Sequence, residues 1–296
     1  MNKETILVTG GDGNIGREVL RQLSSKGDDL RIVGGVQSIA KSKNKGKGPE
    51  HQELVEMDYS TPETVVAALK DIDKLFLLTP THPKMIDFTH SLVNAAKEGR
   101  VKHIVMLSHI RADSGDEPQI NITRLHSQAE KIIEESDIPF TFLRPNFFMQ
   151  NFVNFYLDKN QSSIYLPAGD GKVSFVDVRD IAAVAVQALT NNKNNIHSEK
   201  AYTITGPESI SYGEAAGILS EYIGRKISYV NITENDARKL IKDMGMNDWH
   251  ANILLELLKL SRDGYLSNIS SAVEDVTGRK PIPFSQFAKD HALAFK

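Results

Sequence analysis

The stretch Thr5 to Leu23, TILVTGGDGNIGREVLRQL, constrains this chain more than any other. Ile6, Leu7 and Val8 follow one another as the aliphatic and β-branched residues of a buried parallel strand do, and Ile15, Val19, Leu20 and Leu23 recur at helical spacing. A strand therefore hands over directly to a helix. Between them Gly10, Gly13 and Gly16 form a G-x-x-G-x-x-G pattern, whose bare backbones permit a tight turn, a close approach by a pyrophosphate and close packing of helix on strand. Phosphates would rest on the helix N-terminus, where unpaired N–H groups and the macrodipole favour negative charge. The context predicts a dinucleotide-binding unit; a glycine triplet without a strand before it and a helix after it would read as a flexible surface loop.

Downstream, aliphatic segments at Arg31–Val36, Leu54–Met57, Lys74–Leu78, His103–Leu107 and Phe140–Leu143 predict strands, and Pro62–Leu69, Met85–Glu98 and Ile122–Glu135 predict helices. Such alternation makes a parallel, doubly wound sheet. The segment Ser38–Pro49 (SIAKSKNKGKGP) is basic and lacks apolar periodicity, which reads as a solvated loop or as a phosphate contact. After Arg144-Pro145 aromatic residues crowd Phe147–Tyr156, Gly169–Gly171 marks a turn, and a strand-helix unit follows at Val173–Leu189, with Asp180 placed to cap or begin its helix. A polar loop at Asn191–Lys200 leads to a strand at Ala201–Thr205, and from Ser211 the pattern is helical, at Tyr212–Ile223, Glu234–Met244 and Asp248–Leu260. The expected architecture is α/β. A doubly wound parallel Rossmann sheet occupies residues 1–144, with 172–206 returning to it, and residues 145–171 and 207–296 form a smaller, helix-rich C-terminal lobe that walls a substrate cleft.

A chain of 296 residues with 40% hydrophobic and 25% charged side chains can bury a large core. Its net charge of -3 gives no overall attraction to nucleic acid or to an anionic membrane. The absence of cysteine excludes disulfides, thiolate chemistry and zinc-cysteine sites, and nothing else suggests a metal. With no signal-like N-terminus and no apolar run of membrane-spanning length, a cytoplasmic protein binding a small molecule is expected.

Together these residues resemble the NmrA-like branch of the atypical short-chain dehydrogenase/reductase family, including its quinone-reductase-like and triphenylmethane-reductase-like members. The likeness is carried by VTGGDGNIG (Val8–Gly16), LLTPTHP (Leu77–Pro83), VKHIVMLS (Val101–Ser108), IPFTFLRPNFFMQNF (Ile138–Phe152), FVDVRDIA (Phe175–Ala182), YTITGPESISY (Tyr202–Tyr212) and TGRKP (Thr277–Pro281). The resemblance implies a nicotinamide dinucleotide, with Gly10, Gly13, Asn14, Ile15 and Gly16 along the pyrophosphate and Asp58 with Tyr59 near the adenine. It further implies Thr79 and Pro80 at the ribose and Asn146 with Phe147 flanking the nicotinamide. Taken without the resemblance, Asp58 also fits a helix N-cap, Thr79-Pro80 a strand-ending turn and Phe147 plain core packing.

The chain departs from the wider family at the proton relay. Relatives that oxidise alcohols or reduce carbonyls carry a Tyr-x-x-x-Lys pair on the helix before the LRP strand; here those positions are Ile122 and His126. Ile122 cannot pass a proton. His126 can titrate near neutrality and orient ribose or substrate, although a lone helical histidine is also an ordinary structural residue. Gln37 stands where NADP-binding relatives often have arginine, no acidic residue lies between Arg31 and Gly48, and Lys41, Lys43, Lys45 and Lys47 follow. NADP(H) is therefore the expected cofactor, modestly preferred over NAD(H). The expected function is NAD(P)H-dependent reduction of a conjugated acceptor such as a quinone or dye, with His126 as the candidate catalytic group. The alternative is a regulatory protein of the NmrA type that binds NAD(P) and a protein partner without turnover.

Overall fold

β1 (Glu4–Thr9) carries Ile6, Leu7 and Val8 with no exposed surface, as a parallel strand covered on both faces must. The structure, a computed structural model, describes residues 3–44, 53–113, 120–157, 162–191 and 195–295; Lys45 and Lys47 of the basic segment, and 192–194 of the polar loop, lie outside the described residues. After β1 come α1 (Asn14–Ser24), β2 (Leu30–Val36), α2 (Ile39–Asn44), β3 (Glu53–Glu56), α3 (Pro62–Ala68), β4 (Lys74–Leu77), α4 (Met85–Glu98), β5 (His103–Leu107), α5 (Asn121–Glu134) and β6 (Phe140–Pro145). A π-helical turn (Phe152–Tyr156), β7 (Ser163–Leu166), β8 (Lys172–Val173), α6 (Val178–Thr190) and β9 (Lys200–Ile204) follow. The chain ends with β10 (Ile210–Ser211), α7 (Tyr212–Ile223), β11 (Ser228–Asn231), α8 (Glu234–Asp243), α9 (Asp248–Arg262), α10 (Ala272–Thr277) and α11 (Phe284–Asp290).

The described residues fall into two compact units. One lies within Met1–Gly115, Thr123–Arg144 and Ile181–Tyr202, the other within Asp116–Ile122, Pro145–Asp180 and Thr203–Lys296. The first is built on a sheet of seven described strands in the order β3-β2-β1-β4-β5-β6-β9, parallel from β3 through β6. The strand order reverses at β1, where the chain crosses from β3 to β4. In an α/β sheet, ligands gather outside the carboxyl ends of the strands at such a switch point. The second unit pairs β7 with β11 in parallel and β8 with β10 antiparallel. Its core is an aromatic cluster in which the Phe152 ring lies 5.1 Å from Phe175 and 4.9 Å from Phe284, both edge to face.

Three local expectations are corrected. Part of the basic segment forms α2 instead of a loop, because the Ile39 N–H finds the Glu56 carboxylate at 3.1 Å and Ser42 is buried. Asp180 does lie in the first turn of α6, but the cap is Asp177: Asp177 Oδ1 accepts the Arg179 N–H at 2.8 Å, while Asp180 accepts from Arg279 at 2.7 Å and from the Ile282 N–H at 2.8 Å. The strand expected from Val173 is confined to β8 and one isolated bridge, Phe148 to Val176. No described helix is long and apolar enough to cross a membrane, and no group of described side chains could hold a metal ion.

Candidate nucleotide and acceptor site

At the end of β1 the three glycines have three different jobs. Gly10 adopts φ +62°, which a side chain would strain, and its carbonyl accepts the Gly13 N–H at 2.9 Å to close the turn. Gly16 is buried against that same carbonyl, where an added Cβ would come within 2.1 Å of Gly10 O, so helix and strand approach at a distance only glycine allows. Gly13 is exposed, and a Cβ there would meet only Gly10 O, at 3.2 Å. Gly13 is also the N-cap of α1, which has neither a side-chain cap nor an acidic residue in its first turn. The first N–H groups of a helix have no partner within it, and beside them Asn14 is exposed while Ile15 is anchored in the core. A turn closed by Gly10, a bare exposed Gly13 and uncapped helix N–H groups fit a dinucleotide pyrophosphate.

The neighbouring strand ends are tied together. Thr9 Oγ1 accepts the Leu78 N–H at 2.7 Å, and the Tyr59 hydroxyl donates to Leu78 O at 2.9 Å. Burial pushes that hydroxyl up to about 12, so Tyr59 remains a neutral hydrogen-bond donor. Immediately beyond, Thr79 is buried with its Oγ1 unpartnered among the described residues, and Pro80 is half-buried. An orphaned buried hydroxyl there suits a ribose hydroxyl or amide partner. At the end of β3, Asp58 Oδ1 accepts from the Ser60 hydroxyl at 2.6 Å and the Ser60 N–H at 2.9 Å, while Oδ2 accepts from Gln37 Nε2 at 3.3 Å. These bonds, the Ser60 hydroxyl first, hold the carboxyl below its usual range. The N-cap position of α3 is Thr61, with no side-chain cap, so Asp58 is free of that structural duty.

At the proton-relay positions the structure places two buried residues on α5: Ile122 at 3% exposure and His126 at 8%. The His126 ring lies 5.8 Å from that of His109, and its Nδ1 has no partner among the described residues. Burial, followed by the neighbouring His109, draws the His126 pKa down to about 3. His126 is accordingly a neutral imidazole at physiological pH, carrying one ring N–H donor and no imidazolium charge.

Asn146 and Phe147 lie in the second unit, just past β6. The Asn146 amide is fully engaged there: Nδ2 donates to Ser174 Oγ at 2.7 Å and to Leu266 O at 2.8 Å, and Oδ1 accepts the Phe147 N–H at 2.9 Å. Phe147 is 7% exposed. The sequence gives little hint of a buried ionic network in the first unit. Arg144 makes a forked pair with Glu130, at 2.9 and 2.6 Å, and also reaches Asp113, while Glu130 accepts from the Ser108 hydroxyl at 2.5 Å. The Arg of the LRP segment was the one available signal.

The NmrA-like family model matches residues 2–279. The chain is 39% identical to the NAD(P)H azoreductase of Xenophilus azovorans, over 98% of this chain and 99% of that protein. It is 25% identical to quinone oxidoreductase 2 of Escherichia coli K12, over 85% of this chain and 86% of that protein. Among solved structures, the Citrobacter sp. triphenylmethane reductase complexed with NADP(H) superposes with a TM-score of 0.82 at 25% identity, covering 97% of this chain and 99% of that one. A glycine cradle on a switch-point strand, a sheet that superposes on a known reductase and a match running nearly end to end lead to one assignment: the chain belongs to the NmrA-like family.

Proposed function

We propose that this protein is an NAD(P)H-dependent oxidoreductase that delivers hydride to a conjugated small-molecule acceptor, a quinone or a dye. The observation that carries this reading is the pairing of an intact pyrophosphate cradle with a dismantled proton relay, Ile122 and a neutral His126 in the relay positions. Relatives named for azo, quinone and triphenylmethane reduction support it. When bound, the reduced nicotinamide supplies the hydride.

The first unit carries the dinucleotide in this reading. The Gly10–Gly16 backbone and the α1 N-terminus hold the pyrophosphate. Gln37 and Asp58 read the ribose 2′ position, Tyr59 lies near the adenine, Thr79 and Pro80 border the ribose, and Asn146 with Phe147 bound the nicotinamide end. A positioned general acid typically contributes on the order of 10² to 10⁴ in rate. A ketone, whose developing alkoxide would need that acid, forfeits the factor here. A quinone spreads the incoming charge over its ring and does without it.

The test is to mix purified protein with NADPH or NADH and a panel of quinones and simple ketones, following the absorbance of the reduced nicotinamide. Consumption with quinones and negligible consumption with ketones is expected. Robust ketone reduction would overturn the mechanism, and tight NADPH binding with no turnover on any acceptor would transfer the assignment to a regulatory nucleotide sensor.

A further inference from the structure

The second unit contains a cavity of about 650 Å³, walled by the π-helical turn, β7, α8 and α9. Its inner lining is apolar, with Leu166, Ile253 and Leu254 among the residues that form it. Around it Phe155, Tyr165, Leu240 and Met244 keep 53%, 37%, 44% and 58% of their surface in water. Isolated exposed apolar residues are ordinary, but four large ones sharing one opening mark a binding site. The volume falls in the range of small-molecule pockets, roughly 300–1,000 Å³. Met244 and Met246, both on the lining, supply flexible, polarizable contacts that adapt to flat ring systems.

Charge narrows the occupant further. Asp243 is the one carboxylate among the described lining residues, and it forms no ion pair with a described side chain. The two lysines preceding it on α8 are occupied elsewhere, Lys239 with Asp236 at 3.4 Å and Lys242 with Asp248 at 2.6 Å. An anionic guest would face an uncompensated carboxylate. The polar side of the lining includes Asn151 and Tyr156, joined by Nδ2 donating to the Tyr156 hydroxyl at 3.4 Å, which suits one carbonyl on an otherwise apolar body.

We propose that this cavity takes the flat, multi-ring aromatic body of an uncharged acceptor, with Phe155, Leu240 and Met244 forming a lip that selects for ring number and Asp243 rejecting anionic substituents. The proposal rests on the reductase reading and names its substrate class.

Occupancy can be read without turnover. The chain has one tryptophan, Trp249, on α9, and its ring stands edge to face 4.9 Å from that of His250, a lining residue. The full-length protein is titrated, with Trp249 fluorescence as the signal and free tryptophan amide as the optical control, using 1,4-naphthoquinone, 2-(hydroxymethyl)anthraquinone and anthraquinone-2-sulfonate. Affinity should rise about fivefold for the third fused ring, from the added apolar area removed from water. The sulfonate should bind about two- to fivefold more weakly than the uncharged anthraquinone, the range of an exposed charge interaction, because Asp243 lies at the surface. Leu240→Ser with Met244→Ser, both at exposed positions, should weaken the three-ring ligand and leave NADPH affinity unchanged. Asp243→Asn should close the gap between sulfonated and uncharged anthraquinones.

Affinity independent of ring number, equal binding of the sulfonate, or indifference to the lip substitutions would overturn the proposal. So would a concentration-dependent dimer that the lip substitutions dissolve, since a second copy would then be the occupant. Parallel turnover assays separate the two readings. The expected Trp249 response without NADPH consumption on any acceptor removes the reductase assignment alone; brisk quinone turnover with a silent Trp249, unaltered by the lip substitutions, removes the cavity assignment alone.

Discussion

Gln37 and Asp58, on the ends of neighbouring strands, meet where Gln37 Nε2 donates to Asp58 Oδ2 at 3.3 Å. In a Rossmann fold the end of the second strand reads the ribose 2′ group, and an acidic residue there favours a hydroxyl over a phosphate. In the proposed site the acidic group would come from Asp58, just after β3, to which Gln37 already donates. Asp58→Asn should therefore raise the preference for NADPH over NADH by about two- to fivefold, the range of an exposed charge interaction. Parallel titrations with the two cofactors measure it. An unchanged ratio would place Asp58 away from the 2′ position.

The glycines should separate binding from folding. Gly13→Val sits at an exposed position where its Cβ meets only Gly10 O, at 3.2 Å, and should abolish dinucleotide binding at a smaller cost in melting temperature than a buried glycine would show. Gly16→Ala drives a Cβ into Gly10 O and should cost about 1–3 kcal/mol, as overpacked cores do. Calorimetry and thermal melts on both variants check this. Equal loss of stability in the two would mean that Gly13 serves the turn alone.

His126 should contribute to acid sensitivity more than to catalysis. Above its unfolded pKa of about 6.5 the ring is neutral in both states. Between there and its folded value of about 3 the unfolded chain takes up a proton that the folded chain refuses, so stability is complete above pH 6.5 and falls as the pH drops through that window. His126→Gln should lose less melting temperature than the native protein between pH 7 and pH 5. His126→Ala should lower quinone turnover by less than about tenfold, against the 10² to 10⁴ expected of a general acid. A collapse of turnover with cofactor affinity intact would make His126 the proton donor after all.

The pair Glu130–Arg144 offers a test of coupling. Both side chains are nearly enclosed, at 5% and 10% exposure. Arg144→Met alone leaves the Glu130 carboxylate buried without its counter-charge and should cost about 3–5 kcal/mol. Adding Glu130→Leu should recover much of that, which denaturant midpoints on the single and double variants would register. Strictly additive losses would show that the two residues do not depend on one another.

The β-α alternation was legible because β1, β4, β5 and β6 are short, apolar and set between helices of clear period, and because glycine spacing announced the cradle. What escaped depends on partners distant in the chain. The helix α2 forms because Glu56 of β3 meets its first N–H. Both Asp177 and Asp180 could have capped α6, and the choice is settled by Arg279 and the Ile282 N–H, about a hundred residues further on. The carboxylate beside Gln37 is invisible along β2 itself, because Asp58 comes from the segment after the adjacent strand. The Ser108–Glu130–Arg144 network joins two strand ends and a helix whose positions only the folded sheet defines.

The central position of β1 also bears on how the chain matures. Its Ile6, Leu7 and Val8 need β4 on one side, yet the Thr5 N–H bonds to Asp73, 68 residues later. At a synthesis rate of about 5–20 residues per second that is roughly 3–14 s during which a largely apolar strand has β2 along one edge and nothing along the other. The strand that leads into the glycine turn therefore keeps one bare apolar edge while the ribosome is still at work.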